Sequence, residues 1–172
     1  GCMKKIFIFL IFFNFSILNS SEIKLEKIID TLDKPWSLSF VNQESIIFTE
    51  KSGKLFTFNI KNKKKSEIKH NLSVLEDGQG GLLDVLYHEE KIYISYSENR
   101  RNQETSTSVA KGNFDNQNIK FKNIFRAEPP IDSGYHFGSR LVVKENHLFV
   151  TVGERGLGMI AQDGTQHPGS VI

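Results

Sequence analysis

One short phrase recurs along the chain and limits its fold more than any other feature: an apolar run, a tight polar turn, then a second apolar run. The first copy runs from Ser37 to Val41, turns at Asn42, Gln43 and Glu44, and continues from Ser45 to Thr49. The second runs from Gly81 to Tyr87, turns at His88 to Lys91, and continues from Ile92 to Tyr96. The third runs from Ser139 to Val143, turns at Lys144 to Asn146, and continues from His147 to Val152. Alternation at Leu55, Phe56, Thr57 and Phe58 and the β-branched and aromatic content favour strands. No stretch after Ser21 keeps a helical period. Further strands are expected from Thr107 to Gly112 and from Ile119 to Phe125.

The copies start about 44 and then about 58 residues apart, and a repeat of that length built of about four strands is the sequence form of a β-propeller blade. One blade cannot bury both faces of its sheet, so it needs a neighbour on each side. The expected fold is therefore all-β, with about three blades in this chain, whereas a closed propeller uses at least about four. The chain stops at Gly169-Ser170-Val171-Ile172, within what reads as the opening of a strand, so a C-terminally truncated product is expected. A small standalone β-sandwich is the alternative architecture.

The N-terminus reads differently. Gly1 and Cys2 precede Met3, the natural start, and Lys4 and Lys5 precede a 13-residue apolar stretch, Ile6 to Leu18, that runs into Asn19, Ser20 and Ser21. As a helix that stretch rises only about 20 Å, against about 30 Å of bilayer core, so residues 1–20 read as a cleaved secretory signal rather than a membrane span. A secreted or periplasmic bacterial protein is expected, with residues 21–172 forming the N-terminal part of a catalytic domain. Cys2 is the single cysteine, so the mature part has no disulfide, thiol nucleophile or zinc cluster. The formal charge of +2 gives no support to a nucleic-acid partner. The lysine run at Lys61, Lys63, Lys64 and Lys65 reads as a solvated turn that keeps a sheet edge soluble.

Four further segments carry chemistry. They are Lys34-Pro35-Trp36-Ser37 running on to Glu50-Lys51-Ser52-Gly53; Gly78-Gln79-Gly80-Gly81-Leu82-Leu83-Asp84; Tyr135-His136-Phe137-Gly138-Ser139-Arg140; and Gly153-Glu154-Arg155-Gly156 with Ala161-Gln162-Asp163 and His167-Pro168-Gly169. In this order they resemble the glucose/sorbosone dehydrogenase family, in particular its soluble aldose sugar dehydrogenases. The resemblance runs from about Ile23 to Ile172 and covers the N-terminal part of that family's catalytic domain. It implies a six-bladed propeller holding pyrroloquinoline quinone (PQQ) over its central channel, with calcium beside it and the calcium ligands further along the chain. It also implies oxidation of an aldose at C1 to a lactone, with electrons passed to an external acceptor.

On its own, His136 in a glycine-flanked turn reads as a strand cap; the matching motif makes it the base that takes the C1 hydroxyl proton, a task suited to imidazole. Gly134 and Gly138 would let the backbone approach a flat ligand. Glu154 matches a position that is more often aspartate and would orient the imidazole, or else it is a turn-forming acid. Gln79 matches a glutamine facing cofactor and sugar, since an amide both donates and accepts. Arg140 either reaches the anionic cofactor or pairs with a carboxylate. Gln162 and Asp163 are placed near the channel mouth, with Gln162 as a cofactor contact. Tyr135 stands where some relatives carry a sugar-contacting acid. Trp36 and the other aromatics are assigned to the core between blades. The remaining histidines, His70, His88, His147 and His167, show no metal-site spacing. No phosphate loop or nucleophile elbow is present in the sequence. Two further readings stand beside the enzyme: a non-catalytic propeller acting as a binding module, and a nonfunctional truncated product.

Overall fold

The computed structural model describes residues 23–172, so the expected signal segment lies outside the described residues. The strands are β1 (Pro35–Asn42), β2 (Ser45–Glu50), β3 (Lys54–Asn59), β4 (Lys64–His70), β5 (Leu82–His88), β6 (Lys91–Arg101), β7 (Glu104–Asn113), β8 (Asn118–Ile119), β9 (Lys122–Arg126), β10 (Gly138–Lys144) and β11 (His147–Val152). Among the described residues, one 3-10 turn, Gly158–Gln162, is the only helical element beside the strands. The strands form three sheets: β1-β2-β3-β4-β8, β5-β6-β7-β9 and β10-β11. Each copy of the phrase supplies the first two strands of one sheet. The last residues add to the third sheet, where Ile172 exchanges two backbone hydrogen bonds of 2.9 Å with Val150.

Three apolar layers hold the sheets. Ile47, Leu55 and Ile68 of the first sheet pack with Leu82, Val85, Ile92 and Ile94 of the second. Val109 of the second meets Leu141 and Val150 of the third. The opposite face of the first sheet, carrying Ile46, Phe48, Phe56 and Phe58, is covered by Ile28, Ile29 and Leu32 from the segment before β1. That is why β2 reads as a continuous apolar run: both of its faces are inside.

The repeat extends to hydrogen bonds. In each sheet the first strand breaks register at the same place: between Pro35 and Leu38, Leu82 and Val85, and Gly138 and Leu141. Across each break, a hydroxyl on the second strand accepts from the first strand's amide: Thr49 from Ser37 at 3.2 Å, Ser95 from Asp84 at 2.9 Å, Thr151 from Arg140 at 3.0 Å. The same hydroxyls donate to the next sheet, Thr49 to the Leu83 carbonyl at 2.7 Å and Ser95 to the Ser139 carbonyl at 2.8 Å. A bulge leaves backbone groups unpaired, and in the first two sheets the hydroxyl that partners them also ties that sheet to the next.

Three expectations need correction. Ile119–Phe125 is not one strand. β8 pairs in parallel with β4 of the first sheet while β9 pairs with β7 of the second, because Phe121 turns into the core between them and the Asn71 side chain bonds both its amide (2.7 Å) and its carbonyl (3.0 Å). Lys64 and Lys65 are not in the turn but in β4; Lys65 lies 4.0 Å from the Phe56 ring centroid and 3.2 Å from the buried Glu50 carboxylate. Trp36, at 43% exposure, is not core, and neither are Phe40, Tyr135 and Phe149. Trp36, Leu38 and Phe40 alternate along β1 towards a face that none of the described sheets covers.

Candidate active site

Three loops meet beside the start of β10: residues 77–81 before β5, 133–137 before β10, and 153–157 after β11. They pack backbone to backbone, and glycine makes this possible. A Cβ on Gly78, whose φ is +52°, would stand 2.5 Å from the Gly134 carbonyl oxygen. A Cβ on Gly153 would collide with the His136 carbonyl. Gly134 and Gly138 serve chain-to-chain contact as well: a Cβ on Gly138 would stand 2.7 Å from both the Thr151 carbonyl oxygen and the Gly153 amide nitrogen, and one on Gly134 would stand 3.2 Å from the Asp77 carboxylate.

Gln79 locks the first loop to the second. Its amide donates to the Gly134 carbonyl at 2.7 Å, and its side-chain Oε1 accepts from the His136 amide at 2.9 Å. His136 sits at φ +48°, a conformation costly for a residue with a Cβ and common where structure around a site enforces it. Its Nδ1 is hydrogen-bonded to Glu154 Oε1, which also accepts from the Gly156 amide at 3.1 Å. The extra methylene of glutamate thus reaches the ring. The bond to His136 holds the Glu154 carboxyl below the usual carboxylate range, against a smaller opposing effect of desolvation. An ionised Glu154 requires a proton on Nδ1, so in the neutral imidazole the lone pair lies on Nε2, and half of the His136 side chain is exposed.

The other sequence-chosen residues divide. Arg140 pairs with a carboxylate: its Nη1 lies 3.1 Å from Asp84 Oδ1, while 67% of its side chain stays exposed. Asp84 is 3% exposed and joins all three inner strands, taking bonds from the Ser37 hydroxyl, the Arg140 guanidinium and the Leu141 amide at 2.6 Å. Gln162 ends the 3-10 turn, exposed, with no hydrogen bond to the His136 cluster among the described residues. Asp163 spends its carboxylate on its own turn, accepting from Thr165 and from Gln166, and these bonds hold it below its ordinary range. The exposed Tyr135 ring stands edge-on to His136 at 6.2 Å.

Two residues escaped the sequence reading. Asp84 lies inside an apolar run and looks like a strand interruption. Arg155, next to Glu154, looks like a surface residue of a glycine turn yet is 2% exposed. The one available signal for each is that a charged residue inside a buried motif needs a partner.

Successive, mostly antiparallel sheets packed face to face, with a histidine from the loop before β10 paired to a carboxylate from the loop after β11, define an all-β protein with an enzyme-like site. Residues 32–172 match the glucose/sorbosone dehydrogenase family. The chain belongs to that family. It is 30% identical over 160 residues to the aldose sugar dehydrogenase YliI of Escherichia coli (strain K12), an alignment covering 87% of this chain and 43% of that protein. It superposes with a TM-score of 0.80 and 31% identity on the soluble aldose sugar dehydrogenase of Escherichia coli in its apo-form, covering 86% of this chain and 45% of that one. The PQQ-bound aldose sugar dehydrogenase of Streptomyces coelicolor shares the fold at a TM-score of 0.74 and 18% identity, over 86% of this chain and 46% of that one. The chain thus spans less than half the length of these relatives.

Proposed function

We propose that this chain is the N-terminal part of a six-bladed, PQQ-dependent dehydrogenase that oxidises aldoses at C1 to lactones, exported to the periplasm by residues 1–20 and passing its electrons to an external acceptor. The observation that carries this reading is the Glu154–His136 pair, which leaves one imidazole nitrogen with a lone pair on an exposed surface.

The residues present suit such a cofactor. PQQ is planar and anionic with quinone carbonyls, and the exposed part of the Arg140 guanidinium and the Gln79 side-chain amide would offer it charge and hydrogen bonds. When bound, the quinone supplies the two-electron acceptor for the hydride leaving C1. His136 Nε2 takes the C1 hydroxyl proton, so the C1–O bond gains double-bond character as the C1–H bond breaks. Glu154 holds Nδ1–H and balances the charge the ring acquires. Gln79 fixes the height of the His136 backbone, and Tyr135 gives the sugar an apolar flank. Gln162 lies apart from this cluster, and a cofactor contact through it requires the ligand to extend towards the 3-10 turn. Among the described residues no group of three or more His, Cys, Asp or Glu side chains is placed to hold a metal, so no residue is named for calcium. Among the described residues no helix is long and apolar enough to cross a membrane.

The test is aldose-dependent dye reduction by the full-length protein, with PQQ and calcium added back to cofactor-free material. Activity that needs both sugar and PQQ is expected. A protein that binds PQQ but reduces no dye with any aldose would contradict the reading and favour a binding module.

A further inference from the structure

Among the described residues, Arg155 is a buried cation with no carboxylate partner. Its guanidinium donates from Nε to the Tyr135 carbonyl at 2.8 Å, from Nη1 to the Thr105 carbonyl at 2.9 Å, and from Nη2 to the Thr105 hydroxyl at 2.6 Å and the Ser133 carbonyl. The Phe137 ring lies against its flat face, 3.8 Å from Cζ to ring centroid. Burial pulls the group down to about 10, so it is still charged at neutral pH. A buried charge is costly unless its hydrogens are bonded, and here the bonds join two carbonyls of one short loop, residues 133–137, to Thr105 of β7. That loop carries His136. Arg155 itself sits at φ +59°, a second strained residue in the same cluster.

We infer that Arg155 is a positioning residue: it clamps the loop between Ser133 and Phe137 to β7 through Thr105 and so sets the height and direction of the His136 imidazole against Glu154. Residues 154 and 155 then act together, one gripping the ring and the other the backbone that carries it. A planar fork is needed, because three carbonyls and a hydroxyl lie around it; lysine offers the charge without the fork. The inference rests on His136 being the base, and its consequence for turnover follows from that reading alone. Its consequence for the loop does not.

The test uses the full-length protein with 15N-labelled histidine, comparing wild type with Arg155→Met and Arg155→Lys. The His136 Nδ1–H resonance is assigned by its loss in His136→Gln. In Arg155→Met, the resonance is expected to broaden or vanish while the melting transition stays cooperative. With cofactor loaded, kcat should fall about 100-fold, the cost of a misplaced reacting group, while KM for the sugar changes less than about 2-fold. Arg155→Lys should recover part of the loss. A folded Arg155→Met protein that keeps both the resonance and kcat overturns the inference. If Arg155→Met does not fold, Thr105→Val, which removes one acceptor of the fork, is expected to act in the same direction, and an unchanged resonance there overturns it. If wild type oxidises no aldose, the functional reading fails, and the resonance alone decides whether Arg155 holds the loop.

Discussion

At the scale of single residues, the chemistry open to His136 depends on which imidazole nitrogen is free. Glu154 is stabilised as a carboxylate by the His136 bond, and a carboxylate can only accept, so Nδ1 must donate. Replacing Glu154 by Gln removes that constraint. The expected outcome for Glu154→Gln is a fall in kcat on the order of 10²-fold, the lower end of what positioned acid–base groups contribute. The pH dependence has a definite sign. A carboxyl held low in the folded state stabilises the protein above its ordinary pKa of about 4.3 and loses that contribution as pH falls through its own lowered value. Melting temperatures of wild type and Glu154→Gln should therefore differ at pH 7 and converge below about pH 4; a difference that persists into acid would place the stabilisation elsewhere. His136, Glu154 and Gln79 were singled out in the sequence only through motifs that resemble the family's, and the structure brings the three together. Arg155 and Asp84 were not singled out, because their partners are backbone groups and residues on distant strands. Asp84 meets Ser37 and Arg140, 47 and 56 positions away.

At the scale of the elements, alternation and turn residues located the strands, and the common bulge explains why each copy carries a hydroxyl at its matching place. Thr49, Ser95 and Thr151 bridge the same break in three sheets. Ser37 N and Leu83 O both depend on Thr49, which is fully buried. Thr49→Val keeps the shape and leaves both groups unsatisfied, so urea unfolding should show a loss of about 1–3 kcal/mol; a loss under about 0.5 kcal/mol would mean that the bridge holds nothing. The β8–β9 break was not legible. Its cause is Asn71, a loop residue 50 positions from Phe121, and local pattern carries no sign of it.

At the scale of the whole molecule, the recurrence of one phrase foretold sheets packed face to face. It did not tell which faces would be covered, since strands buried on both sides and strands buried on one carry similar apolar runs. Trp36 and Phe149 lie open for that reason: they occupy outward faces of the first and third sheets. The three layers place the loops of two sheets around His136, so the chemistry is a property of the stack and not of any one sheet. The most direct measurement is rapid mixing of the PQQ-loaded full-length protein with an aldose in the absence of oxygen, following cofactor reduction in wild type and His136→Ala. Both proteins are expected to bind the cofactor comparably, and the variant is expected to be reduced 10²- to 10⁴-fold more slowly, on the order of the contribution of a positioned base. Equal reduction rates in the two proteins would contradict His136 as the base.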